Sequence, residues 1–274
     1  MRLLSAGLPE YLPEKEQTTV ARLGLHSLAA REWMKPDGDF ALFQQHKLEQ
    51  AELRPDSVFG QLPGSESAVA EFIDSLRTHL LDDHSDQYEQ RSDRLHHLPS
   101  NLTWPLYTDS LWDASLWIQE DICVLQEIDN EYQLTAASVC SPSNWHPAEK
   151  LGKNLSTIHK PVPDYADKLE GRVDSLFASM SPRKPLLRYN WSLQYGNELY
   201  WRDKLAPRDP TAKQYWRLER QTLRRLPITN AIVFSIKISL HERGVIEQDL
   251  LVKENLQQLL RTLPEQEKLY KGLD

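Results

Sequence analysis

Apolar positions in the stretch SESAVAEFIDSLRTHLLDDH recur at helical spacing, with Val69, Phe72, Leu76 and Leu80 on one stripe and Ser65 where an N-cap would stand. FALFQQHKLEQAELR shows a similar spacing, and RLGLHSLAAREWMKPDGDF before it reads as a turn-rich segment ending at Pro36-Asp37-Gly38. DDHSDQYEQRSDRLHH is so rich in charge that it reads as an exposed connection. From about residue 115 the period shortens to two. SLWIQEDICVLQEIDNEYQLTAASVC predicts two strands joined near Asp129-Asn130. LLRYNWSLQY alternates Leu187, Tyr189, Trp191, Leu193 and Tyr195 with Arg188, Asn190, Ser192 and Gln194. AIVFSIKISL alternates as well, through Ile232, Phe234, Ile236, Ile238 and Leu240.

Two helices are expected between these strands. PAEKLGKNLSTIHKPVP predicts one from Ala148 to Ile158, stopping at the prolines, and DPTAKQYWRLERQTLRRLP a second, opened by Pro210 and closed by Pro227. EQDLLVKENLQQLLRTLP predicts an amphipathic helix at the C-terminal end. An antiparallel sheet with helices packed over one face, and hence an α+β class, follows from that order.

Composition narrows the picture little. The 274 residues are 40% hydrophobic and 26% charged, and eight Trp and ten Tyr speak for a packed core. The net charge of -8 is spread along the chain with no clustered basic patch, which argues against nucleic acid as a partner. No run approaches the length of a membrane span, and the N-terminus lacks a secretory apolar core, so a cytoplasmic protein is expected. Cys123 and Cys140 lie in apolar runs and are expected as buried free thiols.

Candidate chemistry is sparse. There is no HExxH, CxxC, GxGxxG or GxSxG, so metalloprotease, zinc, dinucleotide and hydrolase signatures are absent from the sequence. On the expected helix, His159 lies on the face of Leu151 and Leu155. An imidazole there either ligates an iron or is a core histidine satisfied by a backbone carbonyl. His96-His97 reads as a solvated pair. In WRLERQTLRRLP, helical spacing would put Glu219 on one face with Tyr215, Thr222 and Leu226, beside a stripe of Arg217, Gln221 and Arg224. Glu219 among such neighbours either holds a cation and takes a proton or pairs with arginine at the surface. Arg188, Asn190 and Gln194 are placed to reach an anionic group or substrate, whereas Tyr189, Trp191 and Tyr195 read first as core.

The same segments carry a resemblance. LWIQEDICVL, AASVCSPSNWHPAEKLGKNLSTIHKPVP, RYNWSL, WRLERQTLRRLPITNAIVFSIK and the closing LRTLPEQEKLYKGL resemble the haem-dependent oxidative N-demethylase family, as do RLGLHSL, REWMKPDGDF and VFGQLPGSESAVAEF. The resemblance implies one family domain over 1–274, with an N-terminal helical and loop region (1–98), a PAS-like haem-binding core (99–245) and a C-terminal helix (246–274). It implies haem b held by a histidine, matched here by His159, and oxidation of a small secondary amine such as dimethylamine with O2 to a primary amine and formaldehyde. Electrons would come from NADPH through FMN and an iron-sulfur cluster on a partner reductase subunit, and the chain could form oligomers.

The resemblance extends over the arginine-rich motif at Arg217, Glu219 and Arg220 to Arg225. Arg188, Arg217 and Arg224 are the candidates for haem propionates, where a bidentate fork suits a carboxylate. Glu219 is the expected catalytic carboxylate, with Trp191, Tyr215 and Thr222 near the substrate. His146, before Pro147, departs from the family pattern and is a second candidate ligand. A haem-binding PAS-type sensor or binding module without catalysis is the alternative, since a fold does not fix a function.

Overall fold

The structure is a computed structural model that describes residues 8–13, 23–162, 170–201, 211–271 and 273. In chain order the strands are β1 (His26–Ser27), β2 (Phe59–Gln61), β3 (Tyr88–Arg91), β4 (Arg94–His97), β5 (Leu102–Pro105), β6 (Asp121–Ile128), β7 (Glu131–Ser138), β8 (Leu186–Tyr195), β9 (Gln214–Arg225) and β10 (Ile232–Glu242). The helices are α1 (Phe40–Leu53), α2 (Pro55–Val58), α3 (Glu66–Asp83), α4 (Leu111–Ser115), α5 (Pro147–Lys150), α6 (Leu155–His159), α7 (Glu170–Ser179), α8 (Arg243–Ile246), α9 (Leu250–Thr262) and α10 (Glu265–Tyr270).

Seven strands form one antiparallel sheet in the order β1-β8-β9-β10-β6-β7-β2, and β3-β4-β5 form a separate small sheet. Mixed helices and antiparallel sheets make this an α+β protein, as the periodicities predict. The hairpin turn falls where expected: Asp129 and Asn130 have φ of 54° and 62°, the left-handed pair that a two-residue hairpin needs.

The stretch 214–225 is not a helix. It is β9, near the middle of the large sheet, paired along its length with β8 and β10. Arg, Gln, Glu and Leu favour a helix in isolation, but here two neighbouring strands need partners for their backbone groups, and that long-range pairing overrides weak local propensity. Pro210, the expected helix start, lies outside the described residues. The helix expected over 148–158 is also broken. It forms as α5 and α6, parted by a turn at Gly152, whose φ is 74°. Pro161 follows α6, and Pro163 lies outside the described residues.

Charge in 82–97 misled in the same way. Instead of an exposed connection this stretch holds β3 and β4, with Tyr88 and His97 each 1% exposed and His97 stacked on Phe40 at 3.9 Å. Only His96 of the expected solvated pair lacks deep burial. Ser65 occupies the N-cap of α3, but its hydroxyl donates to Leu62 O rather than accepting from the helix.

Alternation sorts β8, β9 and β10 into two faces. On one, Trp191, Leu193, Trp216 and Leu218 pack under α9, while Val233 and Ile122 join Trp33, Phe72 and Leu76 of the N-terminal region. On the other, Cys123, Leu223 and Ile232 pack against Leu155 and Phe177, and Tyr215, Ile236 and Ile238 against Phe43 and Leu199. Both thiols are buried and free, and burial pushes both upward in pKa.

Candidate functional site

The second face carries the polar residues. Register sets Arg188 opposite Gln221, Asn190 opposite Glu219 and Ser192 opposite Arg217. On the next strand Ile236, Ile238 and Leu240 stand opposite Gln221, Glu219 and Arg217. A row of charge and amide is therefore bordered by an apolar row, to which Trp145 and Phe234 add aromatic surface.

Glu219 is held from two sides. Asn190 Nδ2 donates to its Oε2 at 3.2 Å, Gln221 Nε2 donates to the same oxygen at 2.8 Å, and Arg217 Nε lies 3.6 Å from Oε1. Two amides and one guanidinium leave the carboxylate anchored and partly charge-matched. Arg217 itself is fully buried. Its two terminal nitrogens donate to Ser141 O at 2.6 Å, Leu199 O at 3.1 Å, Gln194 Oε1 at 3.3 Å and Pro142 O at 3.4 Å. Those donors rivet loops to the sheet. Arg217 is thus a support for Glu219 rather than a hand reaching for a ligand.

Arg188 differs. Its Nε is buried without a hydrogen-bond partner, and burial lowers its pKa against the opposing pull of Glu219. A buried guanidinium nitrogen without an acceptor is costly unless an anion completes it.

His159 ends α6. Its Nδ1–H donates to Leu155 O at 2.9 Å, which fixes the tautomer and leaves the ring's lone pair on Nε2. Burial pushes its pKa down to about 4, with Lys150 and Arg188 acting in the same direction, so the ring is neutral at physiological pH. The carbonyl contact engages Nδ1, and both readings of this histidine share that bond. Tautomer, neutrality and the nearby unpartnered Arg188 Nε fit a haem: a neutral ligand at the iron and a cation for a propionate.

His146 starts α5. Its backbone N–H donates to Glu149 Oε2 at 3.3 Å and its Nε2 lies 3.3 Å from Glu149 Oε1, while Nδ1 is buried without a partner. The helix start engages one side of this ring and leaves the other as a rival donor.

The remaining expected residues divide by face. Tyr215 joins Glu219 on the second face, four positions away along β9. Thr222 lies on the first face, fully buried, with its hydroxyl 2.6 Å from Ser235 Oγ. Trp191 is there too, stacked on Trp216 at 4.4 Å. Arg224 sits over the Trp33 ring at 4.2 Å, in a cleft of about 580 Å³ that it shares with Glu71, Asp74, His79 and Asp83. Helical spacing placed Thr222 beside Glu219, and strand alternation puts the sheet between them. Tyr215, Arg217 and Gln221 are the β9 residues that the structure brings to Glu219.

Sequence reasoning passed over Trp145 and Phe234 as site walls and Lys271 as a neighbour. Trp145 had no periodic signal, Phe234 read only as one position of an alternating strand, and a lysine in EKLYKGL reads as solvated.

The fold and this face define an antiparallel-sheet protein with a partly polar, partly aromatic surface, a neutral histidine and an arginine whose buried Nε lacks a hydrogen-bond partner. The chain belongs to the haem-dependent oxidative N-demethylase, alpha subunit-like family, whose model matches residues 24–274. That description makes it an oxidoreductase-family protein associated with haem, and its alpha-subunit designation points to an enzyme of more than one subunit. Among the described residues no helix is long and apolar enough to cross a membrane.

Proposed function

We propose that the chain is the catalytic subunit of a monooxygenase that oxidatively demethylates a small secondary amine of the dimethylamine type, giving a primary amine and formaldehyde. The observation that carries this is the neutral His159 on the same side of the sheet as Arg188, whose Nε has no hydrogen-bond partner, and the anchored Glu219. The strand order, with the β6-β7 hairpin beside β10 and helices between β7 and β8, supports a PAS-like core. His159 would hold haem b through its imidazole, and Arg188 would pair with a propionate. Haem supplies the oxidation with O2. Electrons would arrive from NADPH through FMN and an iron-sulfur cluster on a reductase subunit, in the cytoplasm.

This chain's residues handle binding and protons. A secondary amine is an ammonium ion at neutral pH, with no lone pair available. Glu219 would hold that cation and accept its proton, held in orientation by Asn190 and Gln221. Tyr215 and Trp145 would supply apolar and aromatic wall. Trp191, Thr222 and Arg224, expected near haem or substrate, stand across the sheet, and their proposed part is to hold its other face.

The test is amine-dependent O2 consumption by haem-loaded protein with a reductase supplied. Formaldehyde formed in step with O2 used is the expected result. A haem spectrum that responds to amine or gas without turnover would point instead to a sensor.

A further inference from the structure

Lys271 follows α10 and is 4% exposed. The C-terminal segment folds back along the free edge of β8, where Leu193 N–H donates to Lys271 O at 3.1 Å. Its Nζ donates to Trp191 O at 2.6 Å and to Asn190 Oδ1 at 3.4 Å, and lies 4.0 Å from the Trp191 ring centroid. Asn190 passes the contact on, because its Nδ2 donates to Glu219 Oε2. An ammonium only donates and a carboxylate only accepts, so an amide between them has one allowed orientation. Asn190 is locked that way while Lys271 carries its charge.

We propose that Lys271 is a second resident cation for Glu219 beside Arg217, a positioning residue that fixes the carboxylate through Asn190. The proposal rests on the reading that Glu219 belongs to the amine site, which it deepens. The groups facing Lys271 are Arg188, Asn190 and Trp191 of β8, Glu219 of β9 and Glu267 of α10. Burial pushes the lysine down to about 7. Glu219 and Glu267 pull it up, and Arg188 pushes it lower. Near neutrality the lysine is therefore poised to lose its proton. A cationic amine arriving at Glu219 adds a second positive charge and favours that loss, so the resident cation gives way to the substrate.

The experiment is an NMR titration of the full chain labelled at lysine Cε, with the Lys271 signal assigned by its absence from Lys271→Met and, should that variant fail to fold, from Lys271→Arg. The wild-type midpoint is expected near 7. Glu219→Gln should lower it by about one pH unit, the scale expected for removing one partly screened charge several ångströms away. A midpoint in the ordinary lysine range, or one that Glu219→Gln leaves unchanged, overturns the proposal. Adding dimethylammonium chloride to the wild type tests the amine reading separately. A further fall of the midpoint supports handover. No change with amine, alongside a fall in Glu219→Gln, keeps the Lys271–Glu219 coupling and overturns the assignment of Glu219 to the amine.

Discussion

His159 and His146 differ in what their surroundings ask of them. Nδ1 of His159 is committed to Leu155 O, which orients the ring in the way a metal-ligating histidine requires. His159→Ala should lose haem or bind it at least tenfold more weakly, a loss of the order expected for an axial ligand, while His146→Ala should keep a normal Soret band. A colourless His146→Ala beside an unchanged His159→Ala would move the ligand to the start of α5. Proton competition adds a pH signature. Because burial pushes the metal-free ring's pKa down to about 4, haem should survive mild acid and be displaced by protonation of His159 only below about that pH.

His46 offers a stability test at the same scale. Its Nε2–H donates to Cys140 O at 2.8 Å, and burial lowers its pKa from 6.5 to about 4. As pH falls from 6.5 the unfolded chain takes up the proton before the folded one does. Stability present above 6.5 should drain away towards pH 4, by about 3 kcal/mol from this residue. Urea unfolding across that window should show a shallower slope in His46→Gln.

At the scale of elements, β9 decides how the site is composed. Its alternation predicts that Glu219→Gln keeps the fold and haem but loses most amine turnover, since an amide can neither take the proton nor balance the cation. Thr222→Val should do the reverse, costing about 1–3 kcal/mol through the orphaned Ser235 hydroxyl while leaving turnover near wild type. Turnover and urea midpoints measured on both variants check the pair. Equal loss of turnover would mean that the two residues share a pocket after all.

Strands whose apolar residues alternate were legible in the sequence, as were α1, α3, α9 and the Asp129-Asn130 turn. The pattern was local there: one face buried, one periodicity. β9 was not, because it is buried on both faces and its polar residues are satisfied by remote partners such as Ser141 O, Leu199 O and Asn190. With no alternation of apolar and polar residues, its spacing fits three and four as well as two. β3 and β4 hid behind charge for a related reason, since one inward position per turn of the pleat, as at Tyr88, Leu95 and His97, suffices to bury a short hairpin. His159 and Arg188 were legible as candidates, but Lys271 was not, since it reaches Asn190 and Trp191 only through the fold.

For the molecule as a whole, the alpha-subunit designation bears on electron supply. The chain alone is expected not to oxidise NADPH, and to sustain amine turnover once a reductase is added. Nicotinamide absorbance followed with and without that second protein checks it. Rapid oxidation by the chain alone would reveal a second redox site in this protein.

The two-sidedness of β9 has a practical bearing on redesign. A library meant to alter which amine is accepted gains nothing from randomising consecutive codons across 214–225. Odd-numbered positions such as Tyr215 and Gln221 share the face of Glu219, whereas even-numbered ones such as Trp216, Leu218, Arg220 and Thr222 hold the opposite face and would return mostly unfolded clones. Arg217 is the exception among the odd ones, for its four carbonyl contacts make it part of the frame. Sampling every second residue while sparing that arginine and Glu219 would concentrate the search on the odd positions that flank the carboxylate.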